Sequence, residues 1–124
     1  MKITEVAFSI YAVTDIKASR AFYEGILGLK TNSEYDGSKS ENWIEYEVGK
    51  STLSIGCSPD WKPSETGVVV ALEVDDFDGF VAKLKNDKVT FFMEPQHYPT
   101  CDMAVIVDPD KNKIMIHHKK ALAQ

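Results

Sequence analysis

Three groups of residues in this 124-residue chain are of types that do chemistry. The first is the adjacent pair His117-His118 together with Glu73. Imidazole titrates near neutrality, so a histidine in a cavity can give and take protons, with a carboxylate as its partner. The plainer role for His117 is a polar residue at a strand end near solvent. The second group is His97 and Cys101 in EPQHYPTCDM. A thiol beside an imidazole can become a nucleophilic thiolate. Pro95 and Pro99 argue against a helix that would put both on one face, and a small buried cysteine at a strand start is the commoner arrangement. The third group is Trp43, Glu45 and Glu47, which alternate along one strand. A ring with carboxylates suits a flat or cationic ligand, while a solvated strand face with one edge aromatic explains the same pattern. Either face of that strand could line a cleft.

Other chemistry is excluded or unsupported. No G-x-G-x-x-G, P-loop, H-E-x-x-H or nucleophile elbow occurs, which removes nucleotide and protease readings. Cys57 and Cys101 lack any metal-type spacing and read as reduced thiols. The formal charge of −5 disfavours a nucleic-acid or anionic-membrane partner. With 44% hydrophobic and 27% charged residues the composition is globular. No signal peptide is recognised at MKITEVAFSI, and no apolar run approaches the ~18 residues of a membrane span. The expected location is the cytoplasm.

The elements that must position these groups come in two similar sets. Thr4–Val13 reads as a strand. Asp15 caps a helix carrying Ile16, Ser19, Phe22, Tyr23, Ile26 and Leu27, and Gly28 stops it. Strands follow at Lys30–Tyr35, Asn42–Val48 and Ser51–Gly56, with turns at Asp36-Gly37 and Gly49-Lys50. Residues 58–66, rich in Pro, Ser and charge, read as a linker, and Trp61 within them as a loop anchor or a contact with a partner subunit rather than a ligand contact. Then the order repeats. Gly67–Val74 is a strand, Asp75 or Asp76 caps a helix with Phe77, Phe80, Val81 and Leu84, and strands follow at Val89–Met93, Asp102–Val107 and Lys113–His118. The last turn, Asp108 to Asn112, has the Asp-Pro start of a type I turn, in which Lys111 is acceptable and Asn112 tolerates a left-handed conformation. The chain is thus an α+β protein of two tandem β-α-β-β-β modules, about 2–57 and 67–120, within a single domain of 1–124.

Strand alternation sorts the side chains. Ala7, Ser9, Tyr11, Val13, Leu53, Ile55, Val68, Val70, Leu72, Val74, Ile114 and Ile116 form an apolar face for the helices. The other face is mixed. Phe8, Ile10, Val69, Ala71 and Met115 give it an apolar floor, and Ser54, Glu73 and His117 give it polar points, as in a ligand pocket.

Three segments carry a family resemblance. VTDIKASRAFYEGILGLK (Val13–Lys30) is similar to the signature after the first strand of the vicinal-oxygen-chelate superfamily, the glyoxalase/bleomycin-resistance/dioxygenase fold. ALEVDDFDGFVAKLK (Ala71–Lys85) is its counterpart in the second module. VIVDPDKNKIMIHHKK (Val105–Lys120) resembles the family ending, except that Lys111 stands where the family usually has glycine. The resemblance implies a curved, U-shaped mixed sheet with helices outside, and often a homodimer. It also implies a divalent metal acting as a Lewis acid, with one ligand from each of four strands.

Carried over position by position, the four ligand sites fall on Phe8, Ser54, Val69 and Met115. None is a histidine or carboxylate, and a thioether does not suit Mg, Mn or Fe(II). The expectation is therefore a binding protein with no metal and no cofactor, holding a hydrophobic or aromatic small molecule. A lyase- or dioxygenase-like enzyme is the alternative, with a displaced metal site or with His117 and Glu73 as a metal-free acid–base pair.

Overall fold

In the computed structural model the described residues are 1–32 and 42–121. The chain divides into two compact units, Met1–Pro63 and Ser64–Gln124, so the boundary falls inside the stretch read as a linker. Among the described residues no helix is long and apolar enough to cross a membrane.

The first unit contains β1 (Ser9–Ala12), a helix, β2 (Lys30–Thr31), β3 (Trp43–Val48) and β4 (Ser51–Gly56). The sheet order is β1-β4-β3-β2, with β1 parallel to β4 and the other pairs antiparallel. Asp15 caps the helix as expected, its Oδ1 accepting the Ala18 N–H at 3.1 Å. The helix begins as α1 (Ile16–Arg20) and widens into a π-helical segment over Ala21–Ile26. There Leu27 N–H reaches back five residues to the Phe22 carbonyl. Tyr23, fully buried, stacks on Tyr46 at 6.1 Å and packs near Tyr11 at 6.3 Å. Each buried aromatic of this kind contributes roughly 2 kcal/mol.

Polar contacts reinforce that seat. Arg20 Nε donates to Glu24 Oε2 at 2.6 Å, and the buried Tyr46 hydroxyl donates to the same oxygen at 2.9 Å. The Arg20 guanidinium, aided by that hydroxyl, holds the Glu24 carboxyl below its usual range. Burial, with the carboxylate beside it, pushes the Tyr46 phenol far above its own.

The second unit repeats the plan with β5 (Val70–Glu73), α2 (Phe77–Asn86), β6 (Phe91–His97), β7 (Cys101–Val107) and β8 (Lys113–Lys119). The order is β5-β8-β7-β6, with β5 parallel to β8. Asp76, rather than Asp75, caps α2 through the Gly79 N–H at 3.0 Å. The helix closes in a Schellman motif, Val89 N–H to the Leu84 carbonyl and Lys88 N–H to the Lys85 carbonyl, with Lys88 left-handed at φ 60°. Phe77, Val81 and Leu84 are buried, as are Ala104, Ile106, Ile114 and Ile116 of the sheet. The α+β class and tandem β-α-β-β-β order are therefore as read from the sequence.

Several details differ. The ladder of β1 starts at Ser9 opposite Leu53, not at Thr4, and β5 starts at Val70, not Gly67. Ala7 and Val68, expected on the helix-facing side, are exposed. β6 runs two residues later than expected at its start and continues through Pro95 to His97, with register shifts on both sides of Met93. Proline is tolerated there because β6 is an edge strand. Lys111, not Asn112, is the left-handed residue of the last turn, at φ 68°. Asn112 instead buries its side chain against Asp108. The expected strand Lys30–Tyr35 is seen only at Lys30–Thr31; its end and the Asp36-Gly37 turn lie outside the described residues.

Candidate functional site

In each unit the sheet face turned away from the buried aliphatic layer carries the candidate residues. In the first unit Ile10 pairs with Ser54, and Ser54 with Glu45 across β3. Trp43 lies opposite Gly56 in the same phase. The open question about β3 is thereby answered: Trp43 and Glu45 share the face of Ile10 and Ser54, while Ile44 and Tyr46 are buried on the helix side. The two-residue turn Gly49-Lys50, which pairs Val48 with Ser51, sets this phase. That signal was present in the sequence and would have added Trp43 and Glu45 to the pocket.

Aromatic rings gather here. Phe8, 44% exposed, sets its ring edge-on to Trp43 at 5.7 Å. Trp61 lies 6.1 Å from Trp43. Ser58-Pro59-Asp60-Trp61 forms a turn, closed by Trp61 N–H to the Ser58 carbonyl at 3.0 Å. The turn lays the Trp61 indole on Gly56, where an added Cβ would meet Trp61 Cζ3 at 2.8 Å and Ile10 Cδ1 at 3.0 Å. Trp61 thus anchors its loop onto the sheet of its own unit.

A cleft of about 840 Å³ opens beside Trp43 and Trp61, walled also by Val13, Asn42 and Pro59. A smaller one of about 280 Å³ is bounded by Trp61, Ile10 and Ala12. Trp43 Nε1 donates to Glu45 Oε2 at 2.9 Å, which fixes that carboxylate beside the rings. Ser54 Oγ is buried with no hydrogen-bond partner among the described residues. Another open groove of about 920 Å³ runs along the helix; of its four charged lining residues, Asp15, Lys17, Arg20 and Glu24, the last two bind each other.

In the second unit Ala71 pairs with Met115 and Glu73 with His117. His117 Nδ1 is 2.6 Å from Glu73 Oε1, and Glu73 Oε2 accepts the Lys119 N–H at 2.7 Å. The hydrogen bond with His117 and that backbone N–H hold the Glu73 carboxyl below its usual range. An ionised carboxylate only accepts, so Nδ1 carries the proton facing Glu73 and Nε2 is the basic nitrogen of the neutral ring. His118 turns to the opposite face, its Nδ1 2.7 Å from the Val74 carbonyl. Val69 precedes β5 and is 38% exposed. Met93, Met103 and Val105 share the His117 face through the pairs Met103↔His117, Val105↔Met115 and Met93↔Val105. Alternation along β7 carries the signal for Met103 and Val105, while the register shifts beside Met93 obscure the third.

His97 and Cys101 do not form a couple. His97 pairs instead with Asp102, Nδ1 to Oδ1 at 2.7 Å, and Lys120 Nζ reaches the same oxygen at 2.9 Å. The hydrogen bonds from His97, first, and then from Lys120 hold the Asp102 carboxyl below its usual range. Alternation sends Cys101 to the other face of β7. Among the described residues, no three His, Cys, Asp or Glu side chains come together as a metal-binding group.

A tandem pair of β-α-β-β-β units, each with its first strand parallel to its last, defines an α+β protein of two repeated modules. The sequence profile of the Glyoxalase/Bleomycin resistance protein/Dioxygenase superfamily matches residues 2–116, and the chain belongs to that superfamily. Solved structures share the fold. A glyoxalase/dioxygenase from Nostoc punctiforme is 21% identical with a TM-score of 0.78, over 94% of this chain and 92% of that one. A superfamily member from Sphaerobacter thermophilus is 21% identical with a TM-score of 0.74, over 94% and 98%. An antibiotic-binding protein from a Streptomyces species is 22% identical with a TM-score of 0.74, over 97% and 99%. Among curated protein sequences, none matches the chain at a significant level.

Proposed function

We propose that this protein binds an apolar or aromatic small molecule and does so without the divalent metal of its superfamily. The observation that carries the reading is the cleft walled by Trp43 and Trp61, with the Phe8 ring set edge-on to Trp43. Rings with fixed positions offer large contact area at low conformational cost. The metal positions inferred by resemblance argue in the same direction. Phe8 is occupied with Trp43, Ser54 offers a neutral buried hydroxyl, Val69 has no donor, and Met115 has only a thioether. That set does not fit Mg, Mn, Fe(II) or Zn. The antibiotic-binding Streptomyces neighbour makes sequestration a natural role for this fold. On this reading the protein acts as a cytoplasmic homodimer whose partner is a small molecule, with no nucleic acid or membrane involved.

Both tryptophans of the chain stand at the proposed site, so intrinsic fluorescence reports occupancy directly. Screening flat aromatic compounds should give saturable quenching at one equivalent, and Trp61→Ala should weaken binding at least about tenfold, the loss of one good aromatic anchor. Elemental analysis of untagged protein should find well under one equivalent of any divalent transition metal. Near-stoichiometric divalent metal would overturn the metal-free reading. Absence of quenching across the screen would overturn the binding reading.

The Glu73–His117 contact supports a second reading, metal-free proton transfer. His117 Nε2 would take a proton from a bound substrate while Glu73 steadies the resulting imidazolium. Turnover that His117→Ala abolishes with the fold intact would favour it over sequestration.

A further inference from the structure

The second sheet puts three of the chain's four methionines, Met93, Met103 and Met115, on one face with His117. We propose that Met103, Met115 and His117 form a binding site for one soft monovalent metal ion of the Cu(I) class. Met103 lies directly across β7–β8 from His117, at a cross-strand Cβ spacing of roughly 5 Å. Met115 precedes His117 by two residues on β8 and so projects from the same face. A flexible thioether reaches across either gap to a shared ion.

The orientation of the imidazole completes the set. Glu73, on the β5 side of β8, holds Nδ1 at 2.6 Å. The two ring nitrogens point in nearly opposite directions, so Nε2 is turned away from β5, toward the β7 side that bears Met103. A carboxylate on the far nitrogen of a ligating histidine fixes its tautomer and raises its basicity. Met103, Met115 and His117 are all half-buried, accessible to an ion yet largely dry. Both oxygens of Glu73 accept hydrogen bonds, from His117 and from Lys119 N–H, so its role here is to orient the imidazole. Two sulfurs and one imidazole nitrogen select a soft ion.

The test uses the full chain with Cys57→Ser and Cys101→Ser, so that thiols cannot hold the ion. Cu(I) is supplied anaerobically as its acetonitrile complex and competed against bicinchoninate. One equivalent should bind, and Zn(II) in excess should not displace it. Met103→Leu and Met115→Leu conserve volume and should leave the fold intact. Each should weaken binding at least about tenfold, as should Glu73→Gln through the orienting hydrogen bond. With Ag(I) as a redox-inert probe, the methyl resonances of Met103 and Met115 should both shift while that of Met1 stays. No binding in the cysteine-free chain overturns the site. So does binding insensitive to either leucine variant, or a shift missing from either methionine.

Discussion

The two units solve the same backbone problem with different residues. Each must turn left-handed after its helix and again in the hairpin before its last strand. The first unit uses Gly28 at φ 76° and Gly49 at φ 59°. The second uses Lys88 at φ 60° and Lys111 at φ 68°. A left-handed residue with a Cβ costs roughly 1–2 kcal/mol, so the second unit carries strain the first avoids. The Lys111 turn shows how it is held. Buried Asp108 accepts from Asp110 N–H at 2.9 Å, Asn112 N–H at 2.8 Å and Asn112 Nδ2 at 2.9 Å. Lys111 N–H meanwhile donates to the Asp108 carbonyl at 2.9 Å. Topology dictates the conformation, and either a glycine or a hydrogen-bonded frame can supply it.

That contrast breaks most visibly at Asp108. Replacing it with alanine removes three hydrogen bonds, from the Asn112 amide and two backbone N–H groups, at about 3 kcal/mol. Urea unfolding should show this as a large fall in midpoint, clearly exceeding the loss from Gly49→Ala. At Gly49 an added Cβ meets nothing within 4 Å, so its cost is conformational alone, about 1–2 kcal/mol. Equal losses would mean the side-chain frame does not hold the second turn.

A different contrast concerns the two sheet faces turned away from the helices. The first depends on Trp61 lying against a backbone without a Cβ. Gly56→Ala should push the indole outward, cost about 1–3 kcal/mol by overpacking, and red-shift the emission as the ring enters water. The second face depends on no such seat, so the Glu73–His117 pair should persist in that variant. An unchanged emission spectrum would show that Trp61 is held by its turn rather than by Gly56.

Relieving the strain runs the other way. Lys111→Gly and Lys88→Gly should each stabilise by roughly 0.5 kcal/mol, the conformational relief less part of glycine's greater unfolded-state entropy. Thermal unfolding of the double variant measures the sum. A loss of stability in both would show that the lysine side chains contribute more than their backbone costs.

These differences also explain what the sequence revealed. Alternation exposed the buried layer, because Tyr11, Leu53, Ile55, Ile114 and Ile116 must all be apolar where no water reaches. Asp15 and Asp76 were legible as caps because a short carboxylate before a helix has one local use. Glu73 and His117 fell on one face by the same alternation. Strand ends were not legible, since a ladder ends where its partner does, and β1 has its first partner only at Ser9. Lys111 misled because local rules assign left-handed turns to Gly or Asn, and the frame around Asp108 is visible only in three dimensions. That Trp61 anchors its loop was legible, but its seat on Gly56 was not, because that contact depends on a turn folding back over its own sheet.

The smallest effect compares two carboxylates, one from each unit. Glu24 and Glu73 both have folded values lowered by partners, chiefly Arg20 and His117 respectively. A lowered carboxylate contributes stability that is fully present above its unfolded value and is lost as pH falls through the folded one. Both contributions should therefore be intact at neutral pH and disappear from the ordinary carboxylate range downward. Glu24 is the less exposed, with 30% of its side chain accessible against 56% for Glu73, and solvent screens the second more strongly. Glu24 also ties the helix to Tyr46 of the sheet. Glu24→Gln should therefore flatten the acid limb of the stability curve by up to about 1 kcal/mol, and Glu73→Gln by less. Urea midpoints taken stepwise from pH 7 to below the carboxylate range measure the difference. If Glu73→Gln flattened the curve more, the stronger of these two electrostatic ties would be the Glu73–His117 pair of the second unit rather than the one beneath the helix of the first.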